Sequence, residues 1–226
     1  SEPSKSVTKR AANLRLDEDG TLEGDVVVEY SGQAGIVRKY ESDSDSPAER
    51  EKALIDSIKS RIGTAEVTAV RIDNANDPDK PLVHTYHIKA PGYAQRTGKR
   101  LFLQPAFFEH GMTARFQTNQ RKYPIYFHYP WSESDTVKID LPAGYELDNP
   151  DAPAPLTSGT STKYVVTIQV AKDKKTIYYK RDFFFGGGGS ILFPATTYPN
   201  LKQLFDIIHE RDEHTMSLKA VAPHAN

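Results

Sequence analysis

The side chains of this chain that could do chemistry fall into a few clusters. His209-Glu-Arg-Asp-Glu-His214 has the outline of a zinc-protease helix. That helix needs His at i and i+4, one turn apart on one face. Here the second His is at i+5. On a straight helix the two imidazoles point roughly 140° apart, too far round to share a metal. A polar helix end is predicted instead, with His209, Arg211 and His214 suited to the negative pole of the dipole. His84 and His87 stand three apart on a predicted strand, so alternation sends them to opposite faces. Gly186-Gly-Gly-Gly189-Ser190 lacks the Lys-Ser/Thr and the following helix of a phosphate cradle. It predicts a flexible, extended connection. No Gly-x-Ser-x-Gly elbow occurs, and there is no Cys, so thiolate metal sites, disulfides and a Cys nucleophile are excluded. No catalytic residue, metal ligand or cofactor is predicted. A noncontiguous pair of carboxylates stays open, because 30 acidic residues offer many pairings.

The best candidate for a binding surface is Tyr123-Pro-Ile-Tyr-Phe-His-Tyr-Pro-Trp131. Strand alternation puts Tyr123, Ile125, Phe127, Tyr129 and Trp131 on a core face, with Pro124, Tyr126, His128 and Pro130 opposite. Tyr126 and His128, with Trp131 at the strand end, could then stack on sugar rings or clasp a peptide. Core packing is the competing reading, since aromatic strands are ordinary in β-sandwiches.

The elements that must position these residues are mostly strands. Ala12 to Tyr40 reads as antiparallel strands around a tight turn at Asp17-Glu-Asp-Gly20, where Gly20 can take positive φ. Ser31 to Gly35 is a second turn signal. Ser46-Pro47 with Glu49 predicts a capped helix carrying Leu54, Ile55, Ile58 and Ile62 on one face, with Gly63 placed to end it. Glu66–Ile72 and Leu82–Ile88 are predicted strands, as is aromatic Arg121–Trp131. Val137–Leu141 is another, closed by Pro142-Ala-Gly144. Tyr164–Val170 and Thr176–Phe185 form a hairpin. A second helix, about 199–211, carries Leu201, Leu204, Phe205 and Ile208. A last strand runs from Thr215 to Leu218. Ser1 to Arg10 reads as a polar lead-in, and a frayed tail is expected from Ala220. The predicted fold is mainly β: two β-sandwich-like units of antiparallel strands with two short amphipathic helices, divided as 1–112 and 113–226.

Composition narrows the partners. Lys+Arg number 29 against 30 Asp+Glu, which gives no electrostatic case for nucleic acid. No apolar run approaches the ~20 residues of a membrane helix.

One family pattern emerges from these segments. Arg121-Lys-Tyr-Pro124, Val137-Lys-Ile-Asp-Leu-Pro-Ala-Gly-Tyr145 and Phe193-Pro-Ala-Thr-Thr-Tyr-Pro-Asn-Leu-Lys-Gln-Leu-Phe205, followed by Asp212 and Leu218, carry it. This ordered series resembles the C-terminal region, of unknown function, of bacterial multidomain transglutaminase-like proteins. Asn13 to Gly24 and the Pro47 helix resemble the stretch just after the papain-like core of those proteins. The resemblance spans most of residues 11–219. The family's catalytic Cys, His and Asp belong to that core, so none carries over to a position here. It therefore implies a noncatalytic accessory or scaffolding module, an upstream transglutaminase-like core as partner, and a periplasmic or extracellular setting. A carbohydrate- or peptide-binding module is the alternative.

Overall fold

A computed structural model describes residues 2–221. The opening hairpin is β1 (Ser6–Leu16) and β2 (Leu22–Gly32), followed by α1 (Gln33–Glu41), α2 (Pro47–Arg61), β3 (Glu66–Asp73) and β4 (Leu82–Ala90). Short strands β5 (Gln95–Thr97), β6 (Arg100–Leu103) and β7 (Ile125–Tyr126) lead to β8 (Trp131–Asp140). Then come β9 (Tyr145–Leu147), β10 (Leu156–Ser158), β11 (Thr162–Val170), β12 (Thr176–Phe185), β13 (Leu192–Phe193), α3 (Tyr198–Asp212) and β14 (Met216–Ala220). The protein is mainly β, as its strand patterns predict.

One eight-stranded sheet dominates, in the order β10-β11-β12-β8-β1-β2-β4-β3. Its pairs are antiparallel except at the centre, where β1 runs parallel to β8. The division at 112/113 therefore runs through this sheet: β1 to β4 precede it, and β8 and β10 to β12 follow it. Alternation within each half cannot reveal such a pairing. It is matched by chemistry, since Arg10 of β1 lies in register with Asp135 of β8. A single hydrophobic core joins residues of both halves. A four-stranded antiparallel sheet, β5-β6-β14-β9, and the two-stranded β13-β7 ribbon complete the strands.

The large sheet is covered on one face. Leu14, Val26, Ile88, Val137, Ile177 and Tyr164 point inward and are buried. Their outward neighbours Asn13, Lys89, Thr136 and Tyr178 are exposed. This is the alternation expected of a sheet with one solvated face.

The helices follow local signals unevenly. The predicted capping box of α2 is present: the Glu49 N–H donates to Ser46 Oγ (3.3 Å) and the Ser46 N–H to Glu49 Oε2 (2.7 Å). Ile58 and Ile62 are buried, and the helix stops at Arg61, two residues short of Gly63. In α3, Leu201, Phe205 and Ile208 are buried as expected, with Leu204 half-buried. The segment 33–40, predicted as turn and strand, is instead helix α1. Gly32 breaks β2 with φ +59°, and the Ala34 N–H donates to Ser6 Oγ (3.0 Å). Gly35 packs so closely that a Cβ there would lie 2.7 Å from the Tyr30 carbonyl oxygen.

Three further expectations are corrected. The lead-in is structured, since Ser6 already begins β1. Arg121–Trp131 is not one strand: Ile125–Tyr126 pairs with Leu192–Phe193, Trp131 already belongs to β8 and pairs with Phe185, and prolines 124 and 130 interrupt the run between. Gly186–Gly189 is not a flexible linker but a tight turn. Gly186, Gly188 and Gly189 have positive φ, and a Cβ on Gly187 would lie 2.2 Å from the Thr160 carbonyl oxygen. Gly20 has the predicted positive φ, +88°. Ser1 and the tail beyond 221 lie outside the described residues.

Candidate functional site

Charged side chains occupy inward positions on the three central strands, where apolar residues would be expected. Asp135 of β8 lies between Arg10 of β1 and Arg181 of β12, each in register with it. Arg10 donates from Nε to Asp135 Oδ1 (2.6 Å) and from Nη2 to Oδ2 (2.7 Å), and also to Glu109 (2.5 Å). Arg181 grips Asp212, at the end of α3, through Nε and Nη2 (both 2.8 Å). Its Nη1 reaches Glu133 Oε2 at 2.7 Å. The Tyr164 hydroxyl donates to Asp212 Oδ1 (2.8 Å), and Trp131 Nε1 donates to Glu133 Oε1 (3.0 Å). Asp135, Arg181 and Asp212 are buried, and Arg10, Glu109 and Glu133 nearly so.

Two guanidiniums thus face four carboxylates, leaving the network two negative charges in excess. The protonation equilibria reflect this. Burial pushes the Asp212 carboxyl up to about 6, and Arg181 offsets only part of it. Burial likewise raises Asp135. Burial would also raise Glu109, but Arg10 and Arg181 outweigh it and hold that carboxyl at about 2. For both arginines burial opposes the charge, yet the surrounding carboxylates win and push the guanidinium pKa up. The network ties β1, β8, β12, α3 and the 104–124 segment together.

Above the network lies a groove of about 680 Å³ between α1, the 115–129 segment and the start of β8. Tyr126, His128 and Trp131 all line it, so the three residues singled out by their aromatic spacing come together. Tyr126 and His128 are exposed, in edge contact with ring centroids 5.4 Å apart. Trp131 is half-buried and differs from them. Its ring packs on Phe127, Phe183 and Phe185, with centroids 5.0–6.1 Å away, and carries Arg115 at 4.7 Å. The predicted core face is only partly formed: Ile125 and Phe127 are buried, but Tyr123 is 78% exposed, and Pro130 is buried instead. A smaller cavity of about 320 Å³ continues the groove down to Arg181 and Asp212, sharing Arg115 and Glu133 with it.

Three arginines also line the groove, none of them expected there as a binding residue. Arg38 stacks on Tyr30 (4.2 Å), Arg115 on Trp131 and Phe127, and Arg121 over Phe116 and Tyr198 (both 5.8 Å). Arg115 loses some basicity through burial against these rings, although Glu133 pulls the other way. The histidine clusters do not converge. His87 faces Asp25 and Glu23 on the open face, and His84 packs edge-on to Tyr30 on the covered one. His209 pairs with Glu213 (3.4 Å). Among the described residues no group of three or more His, Asp or Glu is placed to hold a metal ion.

The molecule is therefore a mainly β module with a groove seated on a buried ionic network. Residues 99–218, more than half of the chain, match the family described as a domain of unknown function with a solved structure (DUF3858), and the chain belongs to that family. The match takes in the groove aromatics, β8, β11, β12 and α3. No curated protein matches the chain. No helix among the described residues is long and apolar enough to cross a membrane.

Proposed function

We propose that this chain is a noncatalytic accessory module of a transglutaminase-like multidomain protein, and that it recognises a peptide or glycan through the groove. The observation that carries recognition is that Tyr126, His128 and Trp131 all line one groove of about 680 Å³. Exposed rings beside a concavity give a ligand apolar area at little conformational cost. The accessory role rests on the resemblance. The residues that carry it serve architecture here: Tyr198 is buried, Phe205 packs in the aromatic cluster, and Asp212 clamps Arg181. A noncatalytic role is consistent with the network, where Asp212, Asp135 and Glu133 spend both oxygens on donors. In this reading the module is exported and works in the periplasm or outside the cell.

Two measurements test the reading. Peptide and glycan arrays should yield binding that Tyr126→Ala weakens, and binding indifferent to that change would refute the groove. A Cys/His/Asp core encoded upstream of Ser1 is expected, and an upstream sequence without one would sink the accessory role.

A further inference from the structure

Resting on the groove as the recognition surface, we infer that its ligand is an acidic peptide segment, held by the guanidiniums of Arg115, Arg38 and Arg121. Among the described residues these three, with Arg50, Arg61, Arg96 and Arg211, are in no ion pair, whereas Arg10, Arg15, Arg71, Arg100 and Arg181 are; of the seven, Arg38, Arg115 and Arg121 are the ones that lie over aromatic rings. Each is presented on aromatic rings instead of on a carboxylate. Of the two glutamates lining the groove, Glu133 is already held by Arg181 and Trp131, leaving Glu41. The charged side chains lining the groove are thus three arginines against two glutamates, one positive charge in excess, on a chain whose formal net charge is −1. A guanidinium stacked on a ring keeps its N–H edge free, and that fork matches a carboxylate.

The rings also decide between a peptide and a sugar. A sugar platform needs an open aromatic face. Trp131 has Arg115 over its ring and four phenylalanines against it, so a pyranose would have to displace the arginine. Beside the arginines stands an apolar shoulder on the β7–β13 ribbon: Tyr126 and Leu192 are paired in register and are 57% and 64% exposed. A peptide alternating acidic and apolar residues can fill both features. A uronic acid polymer supplies the carboxylates but no side chain for Leu192.

Calorimetric titration of the whole chain with the peptide Glu-Leu-Glu-Tyr-Glu-Leu tests this, alongside its Gln-for-Glu analogue and an oligogalacturonate of equal charge. The acidic peptide should bind, and the Gln analogue should bind at least about tenfold more weakly. Arg115→Gln should lower acidic-peptide affinity by about tenfold or more, while Arg71→Gln, away from the groove, should not. Raising salt from about 50 to about 300 mM should weaken binding several-fold. Equal binding of the Gln analogue, lost on Tyr126→Ala but not on Arg115→Gln, would overturn the acidic ligand and leave the recognition groove standing. Tighter binding of oligogalacturonate would overturn the peptide in favour of an acidic glycan. Failure of all three probes, with array binding also absent, would overturn both the ligand and the groove. Thermal melts of each variant separate lost binding from lost folding.

Discussion

The ionic network makes a quantitative demand that Asp212→Asn can test. With two arginines against four carboxylates, removing one negative charge moves the cluster toward neutrality, whereas Arg181→Met leaves one arginine against four. Asp212 titrates near 6 in the folded protein against 3.8 for a free side chain. A carboxyl raised on folding stabilises the fold when protonated, fully below its unfolded pKa. That contribution is lost as pH rises through the folded value. A rise of this size corresponds to about 3 kcal/mol, of which roughly 2–3 kcal/mol falls between pH 4 and pH 7.5. Asparagine mimics the neutral acid and cannot titrate. The wild type should therefore exceed Asp212→Asn by about 2–3 kcal/mol more at pH 4 than at pH 7.5. At pH 7.5 the relief of excess charge offsets the weakened bonds to Arg181, and the variant should lose no more than about 1–2 kcal/mol. Arg181→Met should lose about 3–5 kcal/mol there, because it strands buried carboxylates. Urea unfolding at the two pH values measures all of this, and the difference between proteins cancels titrations outside the network. Equal losses for both variants at pH 7.5, or a difference that does not change with pH, would refute an over-anionic network.

Three smaller perturbations probe the scaffold. Burial, with Arg38 nearby, lowers His84 to about 4, so it favours the neutral ring. Stability from His84 is present above about pH 6.5 and lost toward pH 4, opposite in sign to Asp212; His84→Leu should abolish that acid-side loss in pH-dependent melts. Gly187→Ala places a Cβ 2.2 Å from the Thr160 carbonyl oxygen, and should lower stability by at least about 2 kcal/mol in urea unfolding. Ser46→Ala removes the acceptor for the Glu49 N–H, and should lower stability by about 1 kcal/mol and hasten amide exchange in the first turn of α2.

What the sequence could show depended on whether the signal was local. The Ser46-Pro47-Glu49 cap, the Gly20 turn and the β11–β12 hairpin are contiguous, and each is readable from its own residues. Helix α1 is not. Its nine residues follow a run of β-formers, and a helix that short is marginal alone. It forms because the sheet holds it through Ser6 and Tyr30. The glycine run misleads for a related reason: composition suggests freedom, but Thr160 and Pro130, distant in sequence, require residues without a Cβ. The parallel β1–β8 pair joins residues more than a hundred positions apart, and periodicity carries no information on partners.

The buried network was nonetheless partly legible. In Trp131-Ser-Glu133-Ser-Asp135-Thr-Val137-Lys-Ile139, the positions in phase with buried Val137 and Ile139 carry two acids. In Ile177-Tyr-Tyr179-Lys-Arg181-Asp-Phe183-Phe-Phe185, the inward phase carries an arginine. A charge at a core-phase position needs a buried partner of opposite sign, because desolvation otherwise forbids it. Two acids on one strand and one arginine on another therefore imply that the strands meet, which β8 and β12 do. The same constraint links the network to the groove. Glu133 holds both Arg181 and the indole N–H of Trp131, so the ring on which Arg115 rests is oriented by the charge cluster beneath it. The network thus helps to shape the wall of the groove, which Glu133 itself lines.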